Sequence, residues 1–226
     1  MIERRLISLA AVFLIAFFGV SSGVTRFYLT STGTPPISPA YSASWVDTAS
    51  ASRLICVTVK TNSPMANATN LYTGTGRGLD RQFISSPLSK QTISGSVSGE
   101  VLSSSSKTTV SEVIIRVCSS DGTTIRGTLL STASSTNNFP ASLTSRYTPK
   151  VLTLTAVSAE AGDRLLIEIG FNKTGTGNNT VTQRFGDNGG TDIPYNETAT
   201  DTTQNPWVQF SQTLTFAARR RAVLIN

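Results

Sequence analysis

The groups in this 226-residue chain that could carry chemistry are thirteen acids, five lysines and a large stock of hydroxyls. Ser104-Ser-Ser-Lys107 has the spacing in which a lysine serves as base to a serine nucleophile. It lies in a four-serine run and an expected turn rather than at a helix start, and the Ser-Asp-Asn and Lys-Thr-Gly motifs that accompany it in such enzymes are absent. Asp163, Glu168, Asp187 and Glu197 could supply the two carboxylates that glycoside hydrolysis sets about 5 to 9.5 Å apart, as could other pairs among thirteen acids. Asp187-Asn-Gly-Gly-Thr-Asp192 is rich in the oxygens a calcium ion takes, but it lacks the spacing of the helix-flanked calcium loop and reads as a Gly-Asn turn. Gly74-Thr-Gly-Arg-Gly78 has neither the Gly-Lys-Ser/Thr ending nor the following helix of a phosphate loop, and reads as surface loop. Trp45, Tyr72, Tyr147, Tyr195 and Trp207 are the rings that could stack on a sugar; core packing and loop anchoring need the same residue types.

The chain has no histidine, so the usual base near neutral pH and the commonest metal ligand are both missing, and two cysteines cannot form a four-thiolate zinc site. These patterns assign no catalytic, cofactor-binding or metal-ligating residue, and a non-enzyme without a cofactor is expected. The formal charge of +6 does not make a nucleic-acid surface. Apart from Arg219, Arg220 and Arg221, the basic residues are scattered singly, without the clustering and interleaved rings of a nucleic-acid groove. The arginine triplet reads as a solvated tail or as an arm for an acidic neighbour.

Met1-Ile-Glu-Arg-Arg5, the apolar run Leu6 to Val20 and Ser21-Ser-Gly23 have the form of a signal peptide. Fifteen helical residues reach roughly 22 Å, short of the roughly 30 Å of bilayer hydrocarbon, so membrane contact is expected only through residues 6–20. Cys56 and Cys118 both sit in strand-like runs, where a disulfide and two buried thiols are both open. Sequons occur at Asn67, Asn172, Asn178 and Asn196.

Serine and threonine make up 63 residues, and short β runs alternate with Gly, Pro, Asn, Asp and Ser clusters. Residues 26–30 read as a first strand, and Thr34-Pro-Pro-Ile-Ser-Pro39 as an extended arm leading to Tyr41 and Trp45, which cap the core. Residues 52–60 form a strand whose more apolar face carries Ile55, Val57 and Val59. Residues 62–78 read as a long polar loop, and residues 91–102, 112–118 and 123–130 as an antiparallel meander. Residues 151–158 are expected to pair locally with 164–171. A short strand at 180–185, a loop over 186–205 and a long last strand over 207–216 complete the chain. Nine or ten strands predict one all-β domain, a single antiparallel β-sandwich of jelly-roll-like form, with an N-terminal apolar helical segment. The division is a leader over 1–23, an extended arm and first strand over 24–45, the sandwich over 46–217 and a basic tail over 218–226.

Several segments together carry a resemblance: Arg26 to Tyr41 with Trp45, Arg81-Gln-Phe-Ile-Ser-Ser-Pro-Leu88, Gln91-Thr-Ile-Ser-Gly-Ser-Val97, Asp121 to Leu129, Ala161 to Gly170 and Phe185-Gly-Asp-Asn188. The chain from 25 to 216 resembles a recurrent module of tailed-bacteriophage and prophage virion proteins. The resemblance implies a jelly-roll-like structural protein, a head-decoration, fibre or tail-accessory component, whose partners are other virion proteins (capsid or tail) and copies of itself, located in the virion. Its motifs are turns and strands and bring no site residues. The apolar leader departs from that pattern and fits an assembly anchor or a secreted or cell-surface protein. The alternative reading is therefore a secreted or cell-surface carbohydrate-binding β-sandwich module.

Overall fold

The computed structural model describes residues 23–218. The expected apolar helical segment and most of the basic tail lie outside the described residues. The rest is all-β: fourteen strands and no α-helix among the described residues. They are β1 (Thr25–Leu29), β2 (Ser52–Val57), β3 (Ser63–Tyr72), β4 (Gly76–Ile84), β5 (Gln91–Ile93), β6 (Ser96–Ser105) and β7 (Thr109–Cys118), followed by β8 (Ile125–Asn138), β9 (Thr144–Tyr147), β10 (Leu152–Thr153), β11 (Val157–Ala159), β12 (Arg164–Lys173), β13 (Asn179–Asp187) and β14 (Trp207–Phe210).

Twelve strands form one large sheet along the path β3-β13-β6-β14-β1-β2-β4-β12-β7-β8, with β9 and β10 on β6; β5 and β11 make a separate pair. The sheet is mixed, because β2 runs parallel to β4, which corrects the purely antiparallel expectation. The excursion through β3, which pairs with β13 and with neither β2 nor β4, brings the chain back beside β2 in the direction it left. Apolar faces from both ends of the path meet in one cluster, with Phe27, Val101, Phe185 and Val208 against Phe83, Ile115, Ile167 and Ile169. The Phe83 and Phe185 rings touch at 5.3 Å across it. The period-2 alternation of β6, β7 and β12 selects those inward residues.

Pairing over long range overturns several local expectations. The hairpin of β7 and β8 forms, but β6 lies in the other half of the sheet, against β13, β14 and β9, so there is no three-strand meander. β12 pairs with β4 and β7, while β10 and β11 pair with β6 and β5. The supposed loop 62–78 is strand β3 with the start of β4. Its Asn and Thr residues suit an outermost strand with one solvated face, and Asn70 is buried but donates to Asp80. In β2 it is Cys56 that turns inward, although the other face is the more apolar in sequence, and Val59 beyond the strand is exposed. The last strand is four residues long and lies between β6 and β1; Leu214 and Phe216 still reach the same cluster.

The outer faces are also covered. Residues 31–51 lie as an irregular strap on the outer face of β4, β12 and β7, where Ile37 joins Ile84, Leu166 and Cys118, and Trp45 joins Leu79 and Ile114. The close approach depends on Gly170 at a register shift in β12: a Cβ there would meet the Gly78 carbonyl oxygen and the Trp45 ring. Gly170→Ala is expected to destabilise by about 2 kcal/mol or more, because backbone cannot yield as a side chain does; urea unfolding checks this.

Candidate functional site

Glu168 and Glu100 are each hidden on a covered outer face and are treated in opposite ways; Glu112, also buried on the outward side of β7, is paired with Arg77. Glu168 of β12 shares the strapped face with its register partners Gln82 and Ile114 and is fully buried. Its carboxylate accepts hydrogen bonds from Arg116 Nη2 at 2.5 Å, Gln82 Nε2 at 2.8 Å, Trp45 Nε1 at 2.9 Å and the Ser42 amide at 3.1 Å. Two of those donors come from the strap, so the carboxylate is its fastening point. Arg53 adds a second fastening, donating twice to the Pro39 carbonyl and lying 4.0 Å over the Tyr41 ring.

The second face belongs to β9, β6 and β14. Glu100 of β6 is in register with Tyr147 of β9 and with Trp207 of β14. Because it pairs with both, those strands flank β6 on opposite edges, and the three side chains share a face. The loop over residues 188–206 then folds across them. Tyr195 packs in a tilted contact 4.6 Å from Tyr147 and 6.0 Å from Trp207, and its hydroxyl accepts from the Val151 amide. Trp207 Nε1 donates to the Ile193 carbonyl at 2.7 Å, and Arg146 Nη1 to the Glu197 carbonyl at 3.0 Å.

Beneath this cover Glu100 is 0% exposed and neither carboxyl oxygen has a hydrogen-bond partner. Burial pushes its pKa up to about 9; Glu197 raises it further, and Arg146 pulls the other way. The side chain is a neutral acid at pH 7. Opening the cover with Tyr195→Ala should return the Glu100 pKa toward the ordinary carboxylate range, read from carboxyl carbon shifts in an NMR titration.

The sequence candidates fall in separate places. Asp163 accepts from Arg126 Nε and the Glu160 amide. Asp187 accepts from the amides of Thr61 and Ser63, fixing the entry to β3. Asp192 pairs with Arg26 and Lys60; burial opposes its charge, yet the two cations hold it below the usual carboxylate range. The oxygens proposed for calcium are therefore engaged by protein donors. Glu197 stands near Glu100, accepts from Asn137 and keeps one buried oxygen without a partner. Ser104 lies in β6 opposite Thr182, and Lys107 in the following turn, with no helix there. Gly74 and Gly76 belong to the tight connection of β3 to β4, and the Gly74 carbonyl accepts from the buried Lys173 amine, the polarity opposite to a phosphate cradle.

Of the five rings, Tyr147, Tyr195 and Trp207 come together, while Trp45 serves the strap and Tyr72 packs on Phe171. Cys56 and Cys118 are free, one in the central cluster and one on the strapped face. Glu100 was not legible as special. In the alternation of Ser96, Ser98 and Glu100 it reads as a solvent-facing residue, and a loop ninety residues later is what buries it.

No family model matches the chain, and no curated protein matches it either. Among solved structures it is similar to those of two strains of infectious bursal disease virus. For the Gx strain the TM-score is 0.30 at 13% identity, over 65% of this chain and 34% of that one. For the Gt strain the TM-score is 0.29 at 14% identity, over 69% and 37%. The chain thus spans about a third of the length of the viral chains it resembles.

Proposed function

We propose that the chain is a non-enzymatic structural component of a virus particle, a jelly-roll-like β-sandwich that acts through contacts with other particle proteins and with copies of itself. The observation that carries this reading is the use made of buried charge. Glu168, Asp163, Asp187 and the Lys173 amine each hold a strap, turn or loop in place from inside, and none of them opens onto a cleft. What is left to meet a partner is a broad surface of serine and threonine with scattered charges, and β3 and β8, long strands at the two ends of the sheet path. Head decoration, fibre or tail accessory are the roles the phage resemblance suggests, with the apolar leader as assembly anchor. Deleting residues 1–23 is expected to abolish incorporation into particles while circular dichroism and unfolding stay unchanged; normal incorporation of the shortened chain contradicts the anchor.

One observation favours a second reading, a secreted or cell-surface carbohydrate-binding module. Tyr147 and Tyr195 form a ring pair on an outer face, with Tyr195 42% exposed. Pyranose faces stack on such rings. On that reading a polysaccharide retards the protein in an affinity gel, Tyr195→Ala abolishes the retardation, and the mature protein starts near residues 21–23.

A further inference from the structure

The buried acids of this fold are met by donors from the chain. Glu168 has Arg116, Gln82, Trp45 and Ser42; Asp163 has Arg126; Asp187 has the Thr61 and Ser63 amides. Even Asp80, with one oxygen unpartnered, accepts from Asn70 with the other. Under the 188–206 loop this pattern breaks. Glu100 is fully buried with neither carboxyl oxygen partnered, and Glu197, which the loop itself carries, adds a buried carboxyl oxygen that meets no donor. The two carboxyls stand close enough for Glu197 to oppose ionisation of Glu100. Arg146 does not do for Glu100 what Arg116 does for Glu168, because its guanidinium donates to the carbonyls of Asn138, Ser145 and Glu197. Buried acidic oxygens that face no donor are groups a cation satisfies.

We propose that Glu100 and Glu197 together bind a calcium ion, which fastens the 188–206 loop to β6. The ligands are hard oxygens, both from Glu100 and the buried one from Glu197, with no thiol beside them, a set that suits calcium rather than a softer metal. No group of three acids or cysteines able to hold a metal occurs among the described residues, so water and backbone carbonyls complete the roughly six to eight oxygens that calcium takes. Magnesium fits less well, because it demands octahedral geometry and gives up its waters reluctantly. The ion cancels the charge of the two carboxylates and displaces to solvent the proton that Glu100 otherwise keeps. The Glu197 carbonyl is held by Arg146 and its second oxygen by Asn137, so a grip on the first oxygen holds the loop. Glu168 closes its strap with an arginine from the chain; Glu100 closes its loop with an ion from solution. With only two charged ligands the affinity belongs at the weak end of calcium sites, a Kd of about 10⁻⁴ to 10⁻³ M.

The test strips the full chain of metal with a chelator, removes the chelator and titrates calcium chloride at pH 8 and constant ionic strength. Calorimetry reads binding, and amide hydrogen exchange reads the loop. The expected result is about one ion per chain in the stated range, with exchange slowed across residues 188–206 and unchanged in the strap over 31–51. Glu100→Gln and Glu197→Gln are each expected to weaken binding at least about tenfold, since even a residue that only supports a ligand costs that much. Glu100→Gln gives up no hydrogen bond, so its loss of binding is not a loss of fold. The proposal is overturned if calcium at roughly ten times the upper Kd gives neither heat nor protection. Unchanged affinity in either variant overturns it as well, because the ion then sits elsewhere, as on the 187–192 loop. An equal response to magnesium chloride marks general screening of charge and has the same consequence.

Discussion

Glu100→Gln is expected to stabilise the fold by about 2 to 4 kcal/mol at pH 8 and to change it little near pH 4. Glu100 keeps its proton in the folded chain up to about pH 9, whereas in the unfolded chain it releases it near the ordinary value of 4.5. Between those two values the folded state binds one more proton than the unfolded state, so stability falls steadily as pH rises through the window. Glutamine has no proton to lose and removes that slope. It introduces no new class of unsatisfied group, because the neutral carboxyl it replaces already lacks partners on both oxygens. Asp80 contributes in the same direction: it is fully buried, and burial pushes its pKa up to about 8 against the pull of Arg81 and Asn70. Asp192 works the other way, with stability lost as pH falls below the ordinary aspartate range. The parent protein should therefore be most stable near pH 4 to 5 and weaken toward pH 8, and urea denaturation at pH 4, 6 and 8 measures it. A parent curve that is flat or rises with pH, or a Gln variant less stable at pH 8, contradicts the buried neutral acid.

Glu168→Leu should act with the opposite sign, destabilising by about 3 to 5 kcal/mol. The loss is not mainly that of the four hydrogen bonds. Arg116 is almost completely buried beneath the strap, and without Glu168 its charge has no counter-ion there. Trp45 Nε1 and the Ser42 amide lose their acceptor at the same time, so the strap is expected to loosen before the sheet. Limited proteolysis should then cut between residues 31 and 51 under conditions in which the parent survives, and Trp45 emission should shift to the red. Adding Arg116→Met to Glu168→Leu should recover most of the stability, because an apolar pair can replace a buried ion pair. If the double variant is as unstable as the single one, the charge was not the cause.

What the sequence disclosed is what short-range physics determines. Val113, Ile115 and Val117 and Leu165, Ile167 and Ile169 alternate along their strands and face the core, and the expected pairing of 112–118 with 123–130 forms as a hairpin, because both follow from neighbours along the chain. Partner choice was not legible. β6 and β12 each join strands from distant parts of the sequence, and nothing in their own residues specifies which. The polar composition of residues 62–78 concealed β3 because buried Asn70 meets its needs through a hydrogen bond rather than by being apolar. The fates of Glu100 and Glu168 were hidden for a related reason. Both sit at strand positions that read as solvated, and the 188–206 loop and the 31–51 strap turn them into interior groups.

The most direct test of a role exerted through the outer surface of a structural scaffold is quantitative mass spectrometry of virus particles purified from cells that carry the gene. The expected result is a fixed copy number of this chain per particle, retained through density-gradient banding and high-salt washing. Its absence from banded particles, with recovery of the chain from the culture medium instead, contradicts the structural role.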